Sequence, residues 1–124
     1  MGNEKKKIVV VDDNIEILSA LKNTLKNIYE VYSGLSASKM FDLLKHIKPD
    51  IILLDVEMPE MDGYEALQKL KSDAQYREIP VIFLTSMNDE ESRKKGFDLG
   101  AVDYIRKPFD TPSLLERLET HLVS

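Results

Sequence analysis

Four apolar runs in this chain each stop at residues able to do chemistry. KIVVV leads into Asp12 and Asp13, IILL into Asp55, VIFL into Thr85 and Ser86, and AVDYI into Arg106, Lys107 and Pro108. If these runs are neighbouring strands, three carboxylates, a hydroxyl and an ammonium converge on one patch. Carboxylates a few ångströms apart repel one another, and burial makes the repulsion worse. They stay ionised only with a cation among them. Oxygen donors with no Cys and no nearby His select Mg²⁺ or a similar ion such as Mn²⁺, with waters completing the octahedron. A metal held by few protein ligands keeps open positions for a phosphoryl group. Lys107 would bring a second positive point charge, and Thr85 a hydrogen-bond donor. These are the parts of a phosphoryl-transfer site, and a carboxylate is a known covalent phosphoryl acceptor.

The elements that must position these groups follow from hydrophobic periodicity. Lys7–Asp12 is a continuous β-branched run, as expected of a strand buried on both faces. Asn14–Asn27 carries Ile15, Leu18, Leu21, Thr24 and Leu25 at spacings of three and four, which predicts an amphipathic helix. Glu30–Ser33 reads as a weaker strand. Leu35–Ile47 reads as a helix with Met40, Leu43, Leu44 and Ile47 on one face, and Pro49 bars its continuation. Asp50–Asp55 is the third strand, Gly63–Asp73 the third helix, Pro80–Ser86 the fourth strand and Asp89–Gly100 a short helix with an acidic first turn. Ala101–Ile105 is the fifth strand. The last helix is expected to open with Thr111 as N-cap and Pro112 behind it. Asp13 is a candidate cap for helix 1, Asp62 a turn or cap residue, and Gly63 a cap or a residue needing a special backbone angle. Strand then helix, five times over, implies right-handed crossovers and a parallel sheet covered on both faces.

Composition removes other classes. The 124 residues suit one domain, expected over 1–124 with a core of about 7–123. A hydrophobic share of 43% against 31% charged residues is a globular balance. The net charge of −5 lacks the basic footprint of direct nucleic-acid binding. Lys5, Lys6 and Lys7 read as a solvated lead-in to the first strand. There is no cysteine, hence no disulfide or thiolate metal site. No apolar run nears the roughly 20 residues of a membrane span. A cytoplasmic protein that does not engage membranes is the expectation. His46 and His121 are placed on helices, structural or solvated.

VVDD (Val10–Asp13), DVEMPEMDG (Asp55–Gly63), FLTS (Phe83–Ser86) and YIRKPF (Tyr104–Phe109) together resemble the receiver domain of two-component response regulators. Four motifs in order at these intervals are specific, although each alone is weak. The resemblance implies a flavodoxin-like (βα)5 three-layer sandwich with strand order 2-1-3-4-5. It implies that Asp55 takes a phosphoryl group from a sensor histidine kinase or phosphotransfer protein. It further implies that Asp12, Asp13, Asp55 and the backbone carbonyl of Glu57 bind Mg²⁺, with Thr85 and Lys107 completing the site. The Lys107–Pro108 bond would be cis. Tyr104 would swing inward, coupled to Thr85, and helix 4, strand 5 and helix 5 would read out to an output domain or partner, with a homodimer on phosphorylation as one option. Glu57 and Met87 occupy positions that tune acyl-phosphate lifetime in such domains, and neither is the commonest choice there.

Such a chain is no enzyme beyond self-phosphorylation from small phosphodonors and self-dephosphorylation. The rival reading is a Mg²⁺-dependent phosphatase of haloacid-dehalogenase type, which also uses a strand-end Asp nucleophile. In that class the nucleophile follows the first strand in a D-x-D pattern, whereas here the first strand ends in adjacent Asp12 and Asp13. The output is unreadable, and the chain is equally a stand-alone regulator or a receiver cut from a longer protein.

Overall fold

The computed structural model describes residues 4–87 and 89–122. Among these residues five strands alternate with five helices: β1 (Lys7–Val11), α1 (Ile15–Leu25), β2 (Glu30–Gly34), α2 (Ala37–Leu44), β3 (Ile51–Asp55), α3 (Gly63–Ser72), β4 (Val81–Thr85), α4 (Glu90–Leu99), β5 (Asp103–Arg106) and α5 (Thr111–Leu122). The sheet is parallel throughout, in the order β2-β1-β3-β4-β5, as the resemblance implied. This is the flavodoxin-like (βα)5 architecture.

Strand periodicity divides the core into two layers. Ile8, Val10, Ile51, Leu53, Ile82, Leu84 and Ile105 point to one side, where Leu18, Leu21 and Leu25 of α1 and Leu114, Leu118 and Leu122 of α5 cover them. Val9, Val11, Ile52, Leu54, Val81 and Phe83 point to the other, against Met40 and Leu44 of α2 and Leu67 and Leu70 of α3. Each buried aliphatic side chain contributes roughly 1.5–3 kcal/mol of transfer free energy, and together they fix the sheet against sliding. The register then sets the site. Val11 pairs with Leu54, so Asp12 and Asp55 lie at the same level on adjacent strands. Asp55 pairs with Leu84 and Thr85 with Arg106, which aligns the ends of β4 and β5 with that level.

Local signals decide where the helices begin, and several differ from the sequence reading. Helix α1 is capped by Asn14, whose side chain accepts from Glu16 N at 2.8 Å and Ile17 N at 3.3 Å, and not by Asp13. One residue's shift leaves Asp13 free of the helix and Ile15 off the core face, 64% exposed. Helix α5 is capped by Asp110, which accepts from Ser113 N at 2.9 Å, so Thr111 is already helical. Helix α2 is shorter than periodicity suggested. Ser36 caps it, and its helical bonding gives way to a turn at Lys45 and His46, leaving His46 exposed beyond the helix end. β5 starts two residues later than expected and runs on to Arg106. Asp62 does cap α3, in a reciprocal capping box with Glu65. Gly63 serves neither as cap nor at a positive φ. A Cβ there would lie 2.4 Å from the Asp55 carbonyl oxygen and 2.8 Å from Val56 Cα. The glycine is needed so that α3 can start hard against the backbone of Asp55.

Candidate functional site

The carboxyl ends of β1, β3, β4 and β5 form one acidic recess. Asp12 follows β1 and is 1% exposed, and Asp55 closes β3 at 3%. Both are buried, while Asp13 beside them is exposed. One carboxylate oxygen each from Asp12, Asp13 and Asp55 fall within 4.8 Å of one another. Lys107 reaches across from the end of β5. Its Nζ donates to Asp12 Oδ2 at 2.5 Å and to Asp55 Oδ1 at 3.2 Å. Its backbone N–H donates to the Thr85 carbonyl at 2.8 Å, and the Lys107–Pro108 peptide is cis, as expected from the resemblance. The remaining donors are backbone groups: Asn14 N to Asp12 Oδ1 at 2.9 Å, and Glu57 N to Asp55 Oδ1 at 3.4 Å.

The electrostatics are unbalanced. Three carboxylates face one ammonium, a net of two negative charges. Burial is the main reason the Asp55 carboxyl is raised from 3.8 to about 6, and the Asp12 charge adds to it. The Lys107 ammonium and the Glu57 N–H oppose the rise without cancelling it. Burial alone would lower the Lys107 pKa, yet its bond to Asp12 and the charges of both acids hold it above the ordinary lysine value. Such a set is short of positive charge. Oxygens bound to one Mg²⁺ at about 2.1 Å sit at most about 4.2 Å apart, close to the spread found here, so the donor set fits a small hard divalent cation.

Thr85 is fully buried at the end of β4. Its Oγ1 accepts from Met87 N at 3.0 Å, which leaves its own proton available for donation. Met87 in turn accepts the Tyr104 hydroxyl on its carbonyl at 3.0 Å. Met87 thus joins Thr85 to Tyr104 through its two backbone groups. The Tyr104 ring is inside, 6% exposed, already in the inward position that the resemblance assigns to the switched state. Burial, and the neighbouring Tyr64 hydroxyl after it, raise the Tyr104 phenol to about 12, so it remains a donor at any physiological pH.

Sequence reading missed three features around the recess. Ser86 Oγ donates to Glu57 Oε1 at 3.2 Å and so links the loops after β3 and β4 across the opening. Glu60 adopts a left-handed φ of 70° in the loop leaving Asp55, a conformation that costs a non-glycine residue about 1 kcal/mol. Tyr64 packs beneath α4. Only the last had a usable signal, as an aromatic at the buried phase of α3. His121, placed as structural, lies 2.9 Å from Asp103 Oδ2 at the far end of β5, where Arg117 also binds Asp103.

Comparison with known proteins agrees with the geometry. The response regulator receiver domain family matches residues 8–119. The probable transcriptional regulator ycf27 of Cyanophora paradoxa is 39% identical over 123 residues, 98% of this chain and 50% of that protein. The chain spans 26% to 50% of the length of the curated relatives compared. The chemotaxis protein CheY4 of Vibrio cholerae superposes with a TM-score of 0.90 at 30% identity, covering 95% of this chain and 99% of that one. The receiver domain of the sensor histidine kinase PA1611 from Pseudomonas aeruginosa PAO1, which has a magnesium ion coordinated in its active-site cleft, superposes with a TM-score of 0.87 at 26% identity, covering 97% and 99%. The phosphatase alternative finds no support: the acceptor candidate follows β3, and the matched family is a signalling one. Among the described residues no helix is long and apolar enough to cross a membrane.

Proposed function

The chain belongs to the response regulator receiver domains, and on that premise we propose that Asp55 is its phosphoacceptor in a two-component or phosphorelay system. The whole chain, 1–124, acts as one receiver unit. The observation that carries the reading is Lys107, whose ammonium bridges Asp12 and Asp55 beside a third carboxylate.

Asp12, Asp13, Asp55 and the Glu57 backbone carbonyl would hold Mg²⁺, or Mn²⁺. An ion held by these residues would supply positive charge against the acids and the incoming phosphoryl oxygens. A carboxylate oxygen of Asp55 attacks phosphorus, and an O–P bond forms as the bond to the donor's histidine nitrogen breaks, its electron pair leaving with that nitrogen. Lys107 holds a positive charge against the equatorial oxygens, and Thr85 donates its hydroxyl proton to one of them. The product carries nearly two negative charges and three acceptor oxygens.

The switch follows from the bonds at Met87. When Thr85 turns toward a phosphoryl oxygen it draws on its bond from Met87 N. Met87 also holds the Tyr104 hydroxyl, so a shift of this residue reaches β5 directly. The face built from α4, β5 and α5 then changes its fit for an output domain, a partner protein or a second copy. A kinase or phosphotransfer protein is the donor, and the chain turns over no foreign substrate.

Intact mass after incubation with acetyl phosphate and Mg²⁺ tests the reading. Wild type should gain ~80 Da and Asp55→Asn should not, since an amide cannot form the acyl phosphate. An equal gain in both proteins, no gain in wild type, or a wild-type gain that does not depend on Mg²⁺ overturns it.

A further inference from the structure

Helix α4 is held to the domain in an unusual way. Gly96 is its only buried residue, and Phe97 is 42% exposed. A helix with so little apolar burial needs other anchors, and two tyrosines supply them. Tyr104 reaches Met87, just ahead of α4, through its hydroxyl, and Arg93 lies 5.8 Å above its ring. Tyr64 comes from the first turn of α3 and is 7% exposed. Its hydroxyl donates to the Ser92 carbonyl inside α4 at 3.1 Å, and Lys95 Nζ sits 4.4 Å above its ring. A carbonyl has two lone pairs, so Ser92 can serve the helix and the tyrosine together. Both rings meet Phe83 edge-on, Tyr64 at 5.4 Å and Tyr104 at 6.3 Å between centroids. Gly96 permits this closeness, because a Cβ there would stand 2.9 Å from Phe83.

We infer that Tyr64 is a second tether of α4, a positioning residue that sets how readily the α4-β5-α5 face changes state. Met87 controls only the approach to α4, whereas Tyr64 grips its first turn from a different element. The inward Tyr104 fixes Met87, and the bond to Ser92 fixes the first turn of the helix that follows. Tyr64 therefore holds α4 in the arrangement that goes with an inward Tyr104, and removing its hydroxyl raises the cost of reaching that arrangement. The link to phosphorylation rests on the phosphoacceptor reading above; the tether itself does not.

Tyr64→Phe removes the hydroxyl and keeps the ring, its edge contact and the Lys95 cation over it. Native-state hydrogen exchange of the unphosphorylated, metal-free chain should show α4 amides exchanging about fivefold faster, the effect of one net hydrogen bond, with β1, β3 and β4 unchanged. Lys95→Gln should act in the same direction and by less, as a partly exposed cation–π contact would. With Mg²⁺ present, the variant should need about fivefold more beryllofluoride to reach the switched α4 state. Unchanged α4 exchange overturns the tether, and so does acceleration spread evenly over the sheet. Faster α4 exchange with no beryllofluoride response in either protein supports the tether and overturns its coupling together with the phosphoacceptor reading. Mass gain at Asp55 distinguishes the two failures.

Discussion

Replacing Asp55 by Asn should make the metal-free protein more stable at neutral pH, although it removes the central residue of the site. Asp55 is 3% exposed, and its carboxyl is raised from 3.8 to about 6, chiefly by burial and then by the Asp12 charge. A carboxyl whose folded pKa is raised binds its proton more tightly in the native state than in the unfolded chain. Stability is therefore lost as pH climbs from about 4 through about 6, and the whole loss is present at pH 7 and above. Two pKa units correspond to about 3 kcal/mol. The amide forfeits the charge-assisted bond from Lys107 at 3.2 Å, but that ammonium keeps Asp12 at 2.5 Å. Allowing for this loss and for water in the recess, the net gain is about 1–2 kcal/mol, or a Tm rise of about 3–8 °C. Differential scanning calorimetry in EDTA at pH 7.5 and pH 4 measures it. The rise should be present at the higher pH and absent at the lower. Mg²⁺ should then stabilise wild type more than the variant, since a ligand of the native state stabilises in proportion to its affinity. An Asn variant equal to or less stable than wild type at pH 7.5 without metal refutes the argument that buried, uncompensated charge dominates this site.

Other outcomes follow from single contacts. Gly63→Ala pushes a Cβ to within 2.4 Å of the Asp55 carbonyl and should cost about 2–4 kcal/mol in urea unfolding; a cost under about 0.5 kcal/mol contradicts the close approach. Asn14→Ala should cost about 1 kcal/mol through loss of the α1 cap, whereas Asp13→Ala should leave thermal stability in EDTA unchanged or slightly raised while weakening Mg²⁺ binding by calorimetry. Lys107→Gln removes the ammonium between two acids, so carboxyl-carbon NMR of the metal-free variant should find Asp55 titrating above its wild-type midpoint of about 6; a lower midpoint means the lysine was not its counter-charge.

The sheet and the identity of the recess residues were readable because both rest on strong local signals. Continuous apolar runs such as IILL fit best in a strand buried on both faces, and the polar residue that ends each run sits at the strand's carboxyl edge. Helix starts were less readable, because neighbouring polar residues compete for the same cap. Asp13 and Asn14 both suit an N-cap, and only the register of α1 against the sheet decides for Asn14. Asp110 and Thr111 pose the same choice at α5. Gly63 looked like a residue wanted for its backbone angle, yet its reason is a contact with Asp55, eight positions back, which spacing alone does not reveal. The Met87 bridge between Thr85 and Tyr104 uses backbone atoms, which carry no residue-type signal at all. The anchoring of α4 was hidden for a related reason: its low apolar content suggests a solvated helix, and the tyrosines that hold it come from α3 and β5.

Location of the phosphoryl group by chemical trapping bears most directly on the account. After treatment with acetyl phosphate and Mg²⁺, borohydride reduces an aspartyl phosphate to homoserine, and tandem mass spectrometry of the peptides finds the altered residue. Homoserine at position 55, abolished by EDTA and by Lys107→Gln at least in large part, is the expected result. Homoserine at Asp12 or Asp13, or the same yield at position 55 with and without a divalent ion, contradicts it.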